Sequence, residues 1–189
     1  MKRRRQLATS LEPLPKEYNE PKTVCQAIRE RRGGELNKLD RMLLHSPAIA
    51  EGWNIFFQKL REETMIPAKL REITMCVVAV INKANYEFEA HAPLLKNAGG
   101  TIEQIKCIKN AATPEFDSKI FSEIENDVIE LTIQITRDIT VARNIKARLL
   151  KELGARQLVE LITVAAGYNL VSRFLVATEI DTEQEEKNH

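Results

Sequence analysis

Three ionisable residues near the middle of the chain have types and spacing suited to proton transfer. Glu87 and His91 are four residues apart, so on a helix that starts near Asn85 their side chains lie on one face. A carboxylate beside an imidazole would orient the ring, and the pair would supply a general acid or base near neutral pH. The plainer interpretation is a solvated contact on a helix surface, which is the more common role of such a pair.

Glu72 is the third of these residues. It shares a helix side with Cys76 and Ala79, within an apolar stretch that we expect to be buried. Burial favours the neutral form of a carboxyl unless a cation or hydrogen-bond donors stabilise its charge. Glu72 is therefore either an acid–base group or the partner of an arginine, such as Arg173 or one close to Arg71 in the chain.

The same carboxylates and histidine could instead bind a divalent metal ion. Helical carboxylate metal sites usually repeat a Glu-x-x-His pair, and the sequence has no second copy, so we predict no metal. His45, in the sequence LLHSP, is interpreted as a helix-end residue or as part of a cleft rim, and His189 belongs to the C-terminal tail. Cys76 lies in an apolar run and is predicted to be an inert core thiol.

The composition predicts a soluble globular protein. Its 189 residues carry 28 Lys and Arg against 27 Asp and Glu, a formal charge of +1, which excludes a strongly basic nucleic-acid-binding chain. The three cysteines lie far apart and offer neither a disulfide framework nor a zinc-binding spacing, so we expect a reducing, cytoplasmic location. The longest apolar run, residues 75–81, is far shorter than the ~20 residues of a membrane-spanning helix, and no signal peptide is recognisable. We predict no nucleic-acid partner and no membrane.

The spacing of the apolar residues predicts an all-α fold of six to eight helices. No stretch shows the alternation typical of a half-buried strand. Pro67 begins a helix that is apolar nearly all round and therefore buried. Thr101 and Gln104 form a capping box at the start of a shorter helix, and Gly154 separates the last two helices.

The chain ends are predicted to lie outside the packed domain. Three prolines between residues 11 and 21 argue against regular structure there, so we assign residues 1–32 to an N-terminal arm with a solvated basic start. Residues 33–180 form one helical domain in this prediction, and residues 181–189 form a polar tail. A helix beginning at Ser46 and Pro47 would turn one side toward the core. That side carries Ile49, Trp53, Phe56, Phe57 and Leu60.

Four segments occur in an order and spacing more specific than any single motif. They are RRGGELNKLDRMLLHSPAIAEGW, the Leu-Arg-Glu that ends at Glu72, NYEFEAHAPLLKNAGG, and GYNLVSRF. These segments are spread over residues 31–180, and in them the chain resembles the carboxymuconolactone decarboxylase and alkylhydroperoxidase D-like superfamily. The resemblance implies an all-helical alkylhydroperoxidase D-like domain that assembles as a homotrimer or hexamer, with a pocket near the subunit contacts.

One branch of that superfamily consists of peroxidases, whose site resembles a glutamate followed by a Cys-x-x-Cys pair and a histidine. Counting back from His91, the two cysteines would fall on Ala84 and Glu87, and the glutamate would fall on Glu72. Both redox sulfurs are missing, and neither Ala nor Glu can form the sulfenic acid that hydroperoxide reduction by this route requires. The pattern is similar instead to the decarboxylase branch, whose pocket has no thiol.

The resemblance to the decarboxylase branch implies a lyase that needs no metal and no organic cofactor. Its substrate would be a small carboxylated or lactone-like organic acid, which loses carbon dioxide and is then protonated on carbon. His91 would donate the proton or orient the substrate, Glu72 would be the second acid–base group, and Glu87 would fix the imidazole tautomer. Three further residues would line the substrate pocket: His45, Trp53 and Tyr86.

Two other functions stay open at this stage. A peroxiredoxin-type antioxidant of the alkylhydroperoxidase kind would need an unrecognised thiol, so that Cys76 or Cys107 would have to be accessible and low in pKa. A helical oligomer without catalytic activity would bind a ligand or a partner and would form no product.

Overall fold

The computed structural model describes residues 11–180, which form eight α-helices and no strand. The all-α prediction is confirmed. The basic start of the predicted arm, residues 1–10, and the predicted polar tail, residues 181–189 with His189, lie outside the described residues. In chain order the helices are α1 (Lys22–Arg32), α2 (Lys38–Leu43), α3 (Pro47–Glu62), α4 (Ala68–Ile81), α5 (Asn85–Asn97), α6 (Ile102–Ile108), α7 (Glu123–Asp138) and α8 (Arg143–Ala177).

The chain divides into two compact units, and the division falls inside α3, between Gln58 and Lys59. The first unit contains α1, which occupies a region that the sequence analysis assigned to the arm. Val24, Cys25 and Ile28 of α1 are buried, at the i, i+4 spacing of an amphipathic helix. The prolines before residue 22 therefore precede this helix and do not extend irregular structure through it.

The buried side of α3 differs from the predicted one. Trp53 and Phe57 are buried and their rings lie 4.8 Å apart, whereas Ile49 and Phe56 are 56% and 43% exposed. The buried side is rotated toward Asn54, which is itself buried and accepts a hydrogen bond from Arg31. A polar residue with a buried partner has therefore taken an inward position that hydrophobic spacing alone gave to Ile49 and Phe56.

Helix α4 is the central helix of the second unit and packs against α5, α7 and α8. It begins after Pro67, and nine of its residues are buried, as expected of a helix that is apolar nearly all round. The predicted capping box of Thr101 and Gln104 begins α6. Helix α7 begins later than its apolar spacing suggests, because Ser122 caps it with Glu125 and residues before that form a short 3₁₀ turn, Ser118–Ile120.

Gly154 interrupts α8, as predicted. It has a φ of 76° and a ψ of 170°, a backbone conformation that no helix contains and that favours glycine. Helix α8 also includes an 18-residue window with a mean hydropathy of 1.4, which by length and composition alone is enough to cross a membrane. Half of that window is buried inside the fold, and a core helix passes the same test.

Candidate functional site

A tight turn between α4 and α5 brings the three predicted acid–base residues into one region of the second unit. Helix α4 ends at Ile81, Lys83 takes a left-handed conformation with a φ of 58°, and Ala84 is the N-cap of α5. Asn85 is the first residue of α5. Because α4 and α5 pack together, the inward residues of one helix contact those of the other.

Glu72 of α4 and His91 of α5 are joined by a buried hydrogen bond. The Nδ1–H of His91 donates to Oε2 of Glu72 over 2.7 Å, and the two residues are only 6% and 4% exposed. With the proton on Nδ1, the neutral ring carries its lone pair on Nε2. Nε2 makes no hydrogen bond within residues 11–180, so it is the nitrogen left to exchange a proton with a ligand.

This pairing corrects the sequence prediction, which gave His91 the carboxylate of Glu87. Spacing of four residues identifies neighbours on one helix only, and the strong bond runs between two helices. The predicted contact of Glu72 with Arg173 is also absent: the Arg173 guanidinium donates to the side chain and carbonyl oxygen of Asn169. The cation beside Glu72 is its neighbour Arg71, whose Nε lies 3.5 Å from Glu72 Oε1.

Glu87 is buried without any hydrogen-bond partner. The residue is 2% exposed, and neither carboxyl oxygen finds a donor among the described residues. Burial raises the pKa of Glu87 well above its usual range, which favours the protonated, neutral acid. Burial thus outweighs the effect of the α5 N-terminus, which favours the ionised form of a carboxyl.

Cys76 lies on α4, four residues after Glu72, and is fully buried. Burial raises the pKa of its thiol, and the nearby charge of Glu72 raises it further, so the thiolate is disfavoured. The prediction of an inert core thiol agrees with this geometry, and Cys76 does not meet the requirement of a peroxidatic cysteine. Cys107 is partly exposed, and its sulfur accepts the backbone N–H of Asp117 over 3.3 Å.

The three predicted substrate-binding residues lie in different surroundings. Tyr86 is half-buried in the first turn of α5, directly before Glu87. Trp53 is part of the aromatic cluster of α3 in the first unit. His45, also in the first unit, is exposed, and its Nε2–H donates to the carbonyl oxygen of Glu12 over 2.8 Å. Substrate binding by these residues stays a prediction.

Tyr168 of α8 is a site residue that the sequence reasoning did not assign. It is 2% exposed, and its ring lies 5.0 Å from the His91 ring at an interplanar angle of 83°. The only signal in the sequence was its position in the segment GYNLVSRF, which we used for the family resemblance and not for the site.

The chemistry available in this region is proton transfer. It combines an imidazole with one unpaired nitrogen, a carboxylate hydrogen-bonded to the other nitrogen, and a neutral carboxyl. Among residues 11–180, no three His, Cys, Asp or Glu side chains are placed to hold a metal ion together.

One family model matches part of the chain, and solved structures match its fold. Residues 47–122 match the model of the carboxymuconolactone decarboxylase family. No curated protein sequence matches the chain.

Solved structures match over nearly the whole chain. An uncharacterised peroxidase-related protein from Silicibacter sp. TM1040 is 14% identical with a TM-score of 0.75, covering 100% of this chain and 99% of that one. A cysteine-to-alanine variant of the debrominase Bmp8 in complex with 2,3,4-tribromopyrrole is 14% identical with a TM-score of 0.75, covering 96% and 95%. The same debrominase without ligand is 13% identical with a TM-score of 0.74, covering 95% of each chain. At these identities the likeness shows a shared fold.

Proposed function

We propose that this chain, whose resemblance to the carboxymuconolactone decarboxylase family is confirmed over residues 47–122, is a cofactor-independent lyase. Its substrate is a small organic acid whose carboxylate is attached to, or conjugated with, an unsaturated lactone or carbonyl system. The observation that supports this proposal is the buried hydrogen bond from His91 to Glu72, which leaves Nε2 of the ring unpaired. The proposal includes a homotrimer or hexamer in the cytoplasm.

Decarboxylation by this site proceeds in two balanced steps. The bond between the substrate carbon and its carboxylate breaks, carbon dioxide leaves, and the electron pair enters the conjugated carbonyl system. His91, which has first taken a proton from solvent on Nε2, gives that proton to the carbon and returns to the neutral ring. Glu72 stabilises the imidazolium through Nδ1–H and keeps the ring in its orientation, as a buried carboxylate does for a catalytic histidine.

The structure supports an exchange of the two glutamate roles relative to the sequence prediction. Glu72, and not Glu87, fixes the imidazole tautomer. Glu87 in its neutral form places no negative charge in this region, so it does not repel a substrate carboxylate. It also holds a second proton within the cluster, which suits a general acid.

The test is an assay of carbon dioxide release from a panel of carboxylated five-membered lactones and unsaturated organic acids. In D₂O the product should carry one deuterium at the carbon that lost the carboxylate. His91→Ala and Glu72→Gln should each lower kcat/KM by about 10²–10⁴-fold, the usual contribution of general acid–base catalysis. The matched control is Glu89→Gln, which neutralises an exposed carboxyl of α5 and should leave kcat/KM unchanged.

Three results would contradict the proposal. Unchanged turnover in His91→Ala would remove the assigned proton donor. Reduction of a hydroperoxide by the wild-type protein and dithiothreitol, lost in Cys107→Ser, would instead favour the antioxidant function. Tight binding of one of the acids with no product in any condition would identify a ligand-binding oligomer.

A further inference from the structure

Tyr168 contacts the His91 ring from α8, a helix much later in the chain than α4 and α5, which carry the Glu72–His91 pair. Its ring is buried and lies nearly perpendicular to the imidazole, at an interplanar angle of 83° and a centroid distance of 5.0 Å. This is the edge-to-face geometry that aromatic rings prefer. Three helices therefore meet at the imidazole: α4 through Glu72, α5 through His91 itself, and α8 through Tyr168.

A single hydrogen bond does not fix the direction of an imidazole ring. The bond to Glu72 holds Nδ1 in place, but the ring plane can still tilt about the line from Nδ1 to the carboxylate oxygen. Such a tilt moves Nε2, which lies on the far side of the ring. A rigid aromatic side chain packed at right angles to the imidazole opposes that motion, because tilting would drive the two rings into contact.

The turn of α8 that carries Tyr168 is itself held by a buried polar network. Asn169, the next residue, donates from Nδ2 to Thr136 Oγ1 of α7 over 3.0 Å and to the carbonyl oxygen of Ala165 over 2.9 Å. Asn82, at the end of α4, donates to Asn169 Oδ1 over 2.9 Å and to Ser172 Oγ over 2.7 Å. The backbone beside Tyr168 is thereby fixed relative to α4 and α7, so the ring has a firm base.

We propose that Tyr168 is a positioning residue whose ring fixes the plane of the His91 imidazole and thereby the direction of Nε2. The inference rests on the proposed function, because the direction of Nε2 matters to a reaction that delivers a proton at that atom. The ring, and not the hydroxyl, carries the effect, since the contact with His91 is between ring faces and edges.

The test compares Tyr168→Phe, which keeps the ring, with Tyr168→Leu, which removes it. The ¹⁵N resonances of the His91 ring, assigned by their loss in His91→Ala, report through their line widths whether the ring is held in one orientation. Tyr168→Phe should retain well-separated Nδ1 and Nε2 signals and most of the kcat. Tyr168→Leu should broaden the two signals, because the ring then takes several orientations, and should lower kcat on the order of 10–100-fold with a smaller change in KM, as expected for misplacement of a reacting group. Tyr168→Met replaces the leucine variant if that variant does not fold.

A matched control separates positioning from packing. Leu175→Ala removes a side chain that is 1% exposed from the same helix and should lower Tm while leaving the His91 signals unchanged. Wild-type-like His91 signals in Tyr168→Leu, or equal changes in Leu175→Ala, would overturn the proposal. The resonance measurement needs no substrate, so it can fail or succeed independently of the decarboxylation assay.

Discussion

Asp40 in the first unit and Glu87 in the second are buried to the same extent, but they differ in the hydrogen-bond donors around their carboxyl groups. Each residue is 2% exposed. Asp40 is surrounded by donors and cations, whereas Glu87 has none among the described residues. Burial therefore does not decide the charge of a carboxyl by itself; the groups that face it do.

The donors around Asp40 come from α1 and from the capping box that begins α2. Arg32 reaches it with two hydrogen bonds, from Nε over 2.9 Å and from a terminal nitrogen over 3.0 Å. The backbone N–H of Asn37 donates to it over 3.1 Å, and a terminal nitrogen of Arg31 lies 3.6 Å away. A buried carboxylate with this many partners ties α1 to the start of α2 and is structural.

Glu87 has no comparable structural purpose. A buried carboxyl without partners lowers stability, and such groups in native proteins call for a functional explanation. Glu87, the buried carboxyl without partners, therefore marks the region where catalysis is expected, and Asp40 does not.

The largest expected effect comes from removing the charge of Asp40, the buried carboxyl that accepts several hydrogen bonds. Asp40→Asn leaves the arginines without their buried anion and should lower the free energy of unfolding by about 3 kcal/mol. Urea unfolding followed by the fluorescence of Trp53, the single tryptophan, reports this in the unit that contains the change. Glu63→Gln, which breaks an exposed pair with Lys59, is the control and should change stability by about 0.5 kcal/mol or less. Equal effects of the two variants would show that the Asp40 cluster contributes no more than a surface pair.

An intermediate effect on stability should come from replacing Glu87, and this effect should depend on pH. The pKa of Glu87 is raised in the folded protein above the value of about 4.3 in an unfolded chain, so the folded state binds this proton more tightly. Stability should therefore fall as pH rises from about 4.3 through the raised pKa. Glu87→Gln should remove that slope, up to about 1.4 kcal/mol per pH unit in the difference between wild type and variant.

The measurement for Glu87→Gln is urea unfolding followed by circular dichroism at several pH values. Glu89→Gln is the matched control on the exposed side of α5 and should not change the slope. A constant difference between wild type and Glu87→Gln over the whole pH range would show that Glu87 titrates alike in the folded and unfolded states.

The smallest expected effect concerns the thiol of Cys76 when Glu87 is replaced. Burial is the main cause of the raised pKa of Cys76, and Glu87 contributes less than burial and Glu72 do. Glu87→Gln should therefore leave Cys76 unreactive toward a thiol reagent in the folded protein. We expect one thiol, Cys107, to react before unfolding in both proteins, because Cys25 and Cys76 are fully buried. Labelling of Cys76 in either folded protein, detected by mass spectrometry of peptides, would contradict this.

The sequence predicted those features that depend on residues close together in the chain. The helix that follows Pro67 and the capping box of Thr101 and Gln104 have local causes, and both were predicted. The break at Gly154 was predicted for the same reason. The grouping of Glu72, Glu87 and His91 in one site came from the family resemblance, because helical spacing alone was compatible with a solvated Glu87–His91 pair.

Features that depend on packing between helices could not be read from periodicity. The exchange of Glu87 for Glu72 as the partner of His91 requires knowing how α4 and α5 face each other. The rotation of α3 depends on the hydrogen bond between Arg31 and Asn54, which no hydrophobic pattern reveals. The sequence did not predict the contact of Tyr168 with His91, because it joins distant parts of the chain.

The bond between His91 and Glu72 has a consequence for the order of folding. The two residues are 19 apart in sequence and belong to consecutive helices, so the loop that must close to form their bond is short. Loop-closure entropy increases with the length of the loop, and local contacts form faster than distant ones. The α4–α5 hairpin can therefore assemble its acid–base pair early, and the docking of α8 sets the orientation of the imidazole afterwards.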